Sequence, residues 1–383
     1  MSKPKLGTDL LYALIAQART YPDTIILGRG DPDLDTPLFI REAAHEALKK
    51  NANDYSPAEG ISSLRQAIAE RVRRVNGIEV DPETEVVVTN GGQEALFLMV
   101  LTTVGEGEGL IFPEPNYNTY ADALNFARGV KISVPTHASE DFRVDPARVR
   151  AAITDRTRAM LLVSPNNPTA NVITRADSLE FVKIANEHDL LMITDDIYDV
   201  FMYDDHVHTS MASLPGAKSR TLTLNALSKS YSMTGWRTGW VTGPADLISQ
   251  TKQIKAAITG PTAIVAQYAA LKALTTPTDA VEEFRQTYIR RRKVVLEALD
   301  AMGLQYGIPH GGQFVFVDIT NTGMDCNDLV QKVLDEQHVL IYPGSSFAPG
   351  MNNYLRMTFL QPEDILREGL ARVKVAMDKI FGR

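Results

Sequence analysis

Two side chains in this sequence have types and a spacing that could do covalent chemistry together: Lys229, and Arg237 eight residues later. They lie in TLTLNALSKSYSMTGWRTGW, which ends at Trp240. The apolar run Thr221 to Leu227, rich in β-branched residues, predicts a buried strand that delivers the lysine to a strand end. Burial disfavours the charged form of a lysine and lowers its pKa. The neutral amine is a nucleophile toward carbonyls and forms a Schiff base. Arg237 supplies a fixed cation suited to a phosphate. An aldehyde and a phosphate on one small molecule describe pyridoxal 5'-phosphate (PLP). A lysine and an arginine exposed in a turn would show the same local sequence, so the elements around them have to decide.

Those elements read as alternating strands and helices. Glu85 to Thr89 predicts a strand, and Asn90-Gly91-Gly92-Gln93 turns from it into an apolar helix. Such a turn either binds phosphate through free N–H groups at the positive end of the helix or is a plain tight connection. Leu110 to Phe112 is a further strand, with Tyr117 and Tyr120 on the loop after it, placed to stack on a ring or merely to pack. Arg158 to Val163 runs into SPNNPTA, where Asn167-Pro168 ends regular structure. Leu190 to Thr194 ends at Asp195, close to Asp196 and Tyr198. In open α/β sheets ligands gather at the carboxyl edge, and four such edges carry Gly92, Asn167, Asp195 and Lys229.

Outside that region, Ile25 to Gly30 predicts a short strand and loop, and Asn53 to Gly60 a loop containing Tyr55. From about residue 260 the pattern changes to a long helix over Val281 to Met302 and then strands at Gln313 to Asp318, Val339 to Tyr342 and Tyr354 to Phe359. In YLRMTF the two-residue alternation puts Arg356 and Thr358 on one face. An arginine inside a strand needs an anion, either a bound carboxylate or a structural ion pair. The run Arg290-Arg291-Arg292-Lys293 reads as a solvated helix face, and His206 and His208 as surface residues of a polar loop.

Bulk properties bound the function. The chain has 383 residues and a formal charge of −8, which argues against nucleic acid or an anionic membrane as partner. No long uncharged apolar run is present, so no membrane span is expected. Leu10 to Ala16 predicts an amphipathic N-terminal helix and not a signal peptide, because Asp9 and Gln17 bracket a short run. A single cysteine, Cys326, excludes internal disulfides and fits a reducing cytoplasm. No metal-type Cys/His cluster occurs.

With these residues in hand, the chain resembles the class I/II aminotransferases of PLP fold type I, nearest to the bacterial aspartate/aromatic group. The resemblance rests on N-N-P-T around Asn167, on D-x-x-Y at Asp195 and Tyr198, and on S-K-x-x-x-M-T-G-W-R from Ser228 to Arg237. It implies an α/β fold in which a large domain has a mixed, mostly parallel sheet between helices and a smaller domain is α+β. The implied division is an N-terminal arm with part of the small domain (1–45), a large PLP-binding domain (46–280) and a small C-terminal domain (281–383). It also implies roles. Lys229 resembles the Schiff-base lysine that moves a proton between Cα and the cofactor's C4′, and Asp195 the partner of the pyridine nitrogen. Tyr198 and Asn167 match the pair on the phenolic oxygen, and Tyr117 the stacking aromatic. Arg237 with Gly92 and Gln93 matches the phosphate cup, and Tyr55 the tyrosine lent by the neighbouring subunit of a homodimer. Arg356, with Asn167 and the Gly30 backbone, matches the clamp on the substrate α-carboxylate.

Two positions depart from the pattern. Ala226 stands where many relatives have a phosphate-binding serine, and Arg29 stands where they have a small or apolar residue. Arg29 either meets a second carboxylate on the substrate or braces its loop through Asp31, Asp33 or Asp35. The implied activity is transfer of an amino group from an L-amino acid to a 2-oxo acid, with 2-oxoglutarate the expected acceptor. The alternatives are a PLP-dependent carbon–sulfur β-lyase or cyclopropane-carboxylate synthase. A more remote one is a PLP-binding regulatory domain, for which no DNA-binding segment is expected before Ile25.

Overall fold

The computed structural model describes residues 9–382. Lys3 and Lys5, the basic residues ahead of the predicted first helix, lie outside them. That helix spans Asp9–Ala18.

Seven strands form the large sheet: β1 (Val86–Thr89), β2 (Gly109–Glu114), β3 (Val130–Pro135), β4 (Thr157–Val163), β5 (Leu191–Asp195), β6 (Thr221–Ala226) and β7 (Gly239–Thr242). Their spatial order is β1-β7-β6-β5-β4-β2-β3. The five strands β2 to β6 pair in parallel, while β7 runs antiparallel to both β6 and β1. The central strands are largely buried because helices cover both faces, and they therefore read as mostly apolar runs. The edge strand β3 is mostly exposed and carries Lys131, a common guard against edge-to-edge pairing.

The direction of β7 positions the site. Because β7 is antiparallel, its first residue, Gly239, lies opposite Thr89 and Ala226, the last residues of β1 and β6. Arg237, two residues before β7, therefore arrives at the edge where Gly91 and Lys229 leave their strands.

A second sheet of four antiparallel strands places Tyr342–Pro343, Tyr354–Thr358, Phe314–Asp318 and Gln305–Tyr306 side by side. The strand Ile25–Ile26 pairs instead with Val339–Leu340. The predicted strand to Gly30 stops there because the chain then crosses the end of Tyr354–Thr358: Thr358 donates its N–H to Leu27 O at 2.6 Å. That crossing lays the backbone of residues 27–30 over Arg356. Helix Leu38–Lys49 packs on Ile264–Thr275 through Ile40, Ala44, Ala269 and Ala270.

Two expectations of solvent exposure fail. The Arg290–Lys293 run is not uniformly solvated. Arg291 is buried, 2.6 Å from Asp33 and bonded to Leu360 O, and Arg292 lies over the Tyr203 ring at 5.4 Å. A four-residue run turns through more than one face of a helix, so charge alone does not say which member faces inward. Nor is His208 a surface residue. Its side chain is 7 % exposed, with Nε2 3.2 Å from Asp196 Oδ2, because the chain after β5 folds back under the sheet edge. Burial pushes its pKa down, but Asp196 outweighs that and the net shift is upward.

Candidate active site

A cleft of about 430 Å³ opens where the carboxyl edge of the large sheet meets the small sheet. Of the residues singled out in the sequence, the fold brings Arg29, Gly30, Gly92, Gln93, Tyr117, Asn167, Asp195, Tyr198, Lys229, Arg237 and Arg356 to its walls. Tyr55 is not there: it is 95 % exposed on the loop before helix Ser62–Asn76.

Lys229 follows β6 on a single helical turn, Leu227–Ser230. Its Nζ donates to Gly30 O across the cleft. Burial lowers its pKa to about 8, with Arg356, Arg237 and Arg29 adding to the effect and Asp31 opposing it. About a tenth of it is therefore neutral near pH 7, far more than for a lysine in water.

Asp195 closes β5. Its Oδ1 accepts the N–H of Ile197 at 3.0 Å and its Oδ2 the hydroxyl of Tyr120 at 2.9 Å. Burial, with Asp196 and Asp199 adding to it, raises its pKa to about 6 against the pull of those two donors. Such a carboxylate gains from a cation beside it, and a pyridinium N–H has that chemistry. Tyr120 was read from sequence as a loop residue. It belongs to helix Thr119–Phe126 and is fully buried. The sequence signal that could have found it is the pair of tyrosines three residues apart.

One end of the cleft is built by glycine. Gly91 has φ +78°, and a Cβ there would come within 2.7 Å of Arg237 Nη2. The guanidinium packs directly on this turn, its hydrogen-bond partners being the carbonyls of Thr234 and Asn90 and not carboxylates. The helix begins at Gly91, inside the predicted turn, so the N–H groups of Gly91, Gly92 and Gln93 form its open first turn. Buried Ser228 lines the same end, a residue the sequence reading passed over, while Ala226 offers only a methyl group. Tyr117 is held on the wall by a 3.2 Å bond from its hydroxyl to Gln93 Oε1.

Arg356 forms the opposite end. It is 4 % exposed, and its partners are neutral: Asn167 Oδ1 at 2.8 Å and Gly28 O at 2.5 Å. The rings of Phe314, Phe347 and Tyr342 box it at 4.6, 4.8 and 5.1 Å. Among the described residues no carboxylate pairs with it, and its Nε is buried without a partner. Burial lowers its pKa to about 10. A guanidinium desolvated to that degree and left without an acid is a receptor for a carboxylate. Asn167 spends its oxygen on Arg356, so only its amide nitrogen can donate to a ligand. Tyr198 stands edge-on to Phe314, and burial holds its hydroxyl protonated, far above the usual phenol range. Arg29, more than half exposed, pairs with Asp31 at 3.0 Å.

The residues fit PLP group by group, with an open helix start and Arg237 for a phosphate, Asp195 for a ring nitrogen and Lys229 for an aldehyde. Comparison with known proteins agrees. The family profile for "Aminotransferase class I and II" matches residues 22–373. The aspartate aminotransferase of Pyrococcus abyssi is 38 % identical over 360 residues, 93 % of this chain and 92 % of that protein. The arginine–pyruvate transaminase of Pseudomonas aeruginosa is 38 % identical over 376 residues, covering 98 % and 95 %. The crystal structure of the aromatic aminotransferase from Pyrococcus horikoshii superimposes with a TM-score of 0.91 at 37 % identity, covering 96 % of this chain and 99 % of that one.

The Asp195 geometry makes a pH prediction. Its pKa is raised to about 6, and a protonated ring nitrogen binds best to the ionised carboxylate. Affinity for pyridoxine 5'-phosphate, which has the ring and phosphate but no aldehyde, should therefore fall as pH drops through 6. Relative to Asp195→Asn the fall should approach about tenfold per pH unit. Parallel pH profiles for the two proteins would show that Asp195 does not face the ring.

Proposed function

The chain belongs to the class I and II aminotransferases, a PLP-dependent family that moves the amino group of an amino acid to a 2-oxo acid, and on that premise we propose how its own residues divide the work. Bound PLP supplies the aldehyde that takes up the amino group and a ring that draws electrons from the substrate Cα. Lys229 holds the cofactor through its Nζ and afterwards carries a proton to and from the substrate Cα. Asp195, kept in register by Tyr120, keeps the ring nitrogen protonated. Asn167 and Tyr198 donate to the ring's phenolic oxygen, and Tyr117 stacks on its face. Gly92, Gln93 and Arg237 bind the phosphate, with Ser228 in place of the hydroxyl that Ala226 lacks.

The observation that carries this reading is the buried guanidinium of Arg356, which has no acid beside it among the described residues. It fixes the α-carboxylate, and with it the whole substrate, against Asn167 and the backbone of residues 28–30. Arg29 belongs at the mouth, where its pairing with Asp31 supports a bracing role. The acceptor we assign is 2-oxoglutarate and the compartment the cytoplasm, the latter in keeping with a single, buried cysteine. No helix among the described residues is long and apolar enough to cross a membrane. The working unit is a homodimer. A tyrosine 95 % exposed in the monomer is otherwise an expensive residue to leave in water, and Tyr55 then serves the phosphate of the neighbouring site.

Three experiments test these roles. Lys229→Ala should still take up PLP through the phosphate contacts but lose ~10²–10⁴-fold or more in turnover, the usual worth of a positioned acid–base group; transamination within about tenfold of the parent would refute the assignment. Mixing Tyr55→Phe with Lys229→Ala protomers should give hybrid dimers with one intact site, so activity rises on subunit exchange. No rise, with exchange verified by mass spectrometry, places Tyr55 outside the shared site. For Arg29→Ala, kcat/KM should fall alike for glutamate and phenylalanine if the residue braces its loop. A loss confined to glutamate, ~1–3 kcal/mol in transition-state binding, would instead make Arg29 a second carboxylate contact.

A further inference from the structure

Helix Gly91–Thr103 starts in an unusual way. Asn90 is its N-cap residue, and an asparagine there ordinarily folds its side chain over the N–H of the second or third helical residue. Here it makes no such bond. Its Nδ2 donates to Glu94 Oε1 at 3.1 Å, and its backbone N–H donates to Glu94 Oε2 at 2.5 Å. Glu94 reaches back over the first turn and holds Asn90 at two points. The carboxamide that would compete for the open N–H groups is thereby drawn aside.

Glu94 is itself held from behind. Lys255, with a side chain 0 % exposed, has Nζ 3.2 Å from Glu94 Oε2. The same Nζ donates to Gly260 O at 2.6 Å, and the Thr259 hydroxyl donates to Glu94 Oε1. Neither Glu94 nor Lys255 lines the cleft. A carboxylate one turn from a phosphate would repel it across a few ångströms of poorly screening protein, and a buried lysine in contact cancels that field. The two residues are 161 positions apart, so the pair also ties the cup to the end of helix Ala245–Ile258.

We propose that Glu94 and Lys255 are positioning residues for the cofactor phosphate. Glu94 withdraws the Asn90 side chain so that the N–H groups of Gly91, Gly92 and Gln93 stay free, and Lys255 neutralises Glu94 so that its charge does not oppose the phosphate. The inference rests on the assignment of the phosphate to this turn.

The test uses the full-length chain freed of PLP, with inorganic phosphate as probe, read by its competition with pyridoxine 5'-phosphate. Glu94→Ala should weaken phosphate about tenfold, and adding Asn90→Ala should restore most of that, because the competing carboxamide is then gone. Lys255→Met should also weaken phosphate about tenfold, and Lys255→Met/Glu94→Gln should return to within about threefold of the parent once no bare charge remains. A merely structural pair predicts no recovery in either double variant. Double variants as weak as their singles, or single variants as tight as the parent, overturn the proposal. If Lys255→Met yields no soluble protein, the Asn90 and Glu94 pair of variants decides alone. Arg237→Ala separates the two levels. Phosphate affinity unchanged in that variant removes the cup assignment and this inference together, whereas a loss there with none in the Glu94 and Lys255 variants removes only the inference.

Discussion

Three ionisable groups of opposite kinds are taken out of water in one cleft, and the desolvation of charge is the constraint on which the rest of the structure depends. Removing a charged group from water costs several kcal/mol after relaxation, and a protein tolerates it only where neighbours compensate. Here compensation is partial at each group. Lys229 has a backbone carbonyl, Asp195 has a hydroxyl and an N–H, and Arg356 has two neutral oxygens and three aromatic faces. Each retains a want, and on the reading proposed above one ligand group satisfies it: an aldehyde, a cationic ring nitrogen and a carboxylate. Binding energy for substrate and cofactor is thus set aside when the chain folds.

Holding such groups in place requires a rigid backing. Behind Asp195 the next residue, Asp196, accepts from Ser210 and lies against His208, while Asn225 on β6 donates to Asp196 O at 2.8 Å and Asp199 Oδ2 at 2.9 Å. Asp199 in turn pairs with Arg71 at 2.8 Å, both side chains being almost wholly buried. Burial alone would raise the Asp199 carboxyl, but Arg71 and its hydrogen bonds outweigh that and hold it below the usual range. The network links helix Ser62–Asn76, the loop after β5 and strand β6, so the strand ends carrying Asp195 and Lys229 cannot shift independently. A satisfied buried network rigidifies what it joins.

What could be read from sequence follows from which features are local. Buried parallel strands show as apolar runs, a glycine turn before a helix shows as Gly91-Gly92, and the residues that end those strands follow directly. Lys229, Asp195 and Asn167 were therefore legible, and with them the side of the sheet on which the cleft lies. Arg356 was legible as an arginine in need of an anion, because strand alternation is local too. Tyr120 was not, since its meeting with Asp195 depends on how a short helix is rotated against a strand 75 residues away. Arg291 and His208 were misread for the same reason: composition reports a polar residue, but only tertiary packing decides whether its partner is water, Asp33 or Asp196.

The contrast between the two arginines around the loop of residues 27–31 shows how burial divides labour between like residues. Arg29 is 58 % exposed in its side chain and already paired with Asp31, in a setting where an ion pair is worth a few tenths of a kcal/mol to about 1. Arg356 is 4 % exposed and has no acid among the described residues, so a carboxylate reaching it meets a field that water scarcely screens. The loop serves both: Gly28 gives its carbonyl to Arg356, Gly30 gives its carbonyl to Lys229, and Arg29 between them turns outward to the mouth. Alternation along an extended backbone puts neighbouring groups on opposite sides, and here it separates the carbonyls that face Arg356 and Lys229 from the Arg29 side chain at the mouth. The buried side of the loop thereby supports the two buried cations of the cleft, and the exposed side, where Arg29 pairs with Asp31, braces the loop at the mouth.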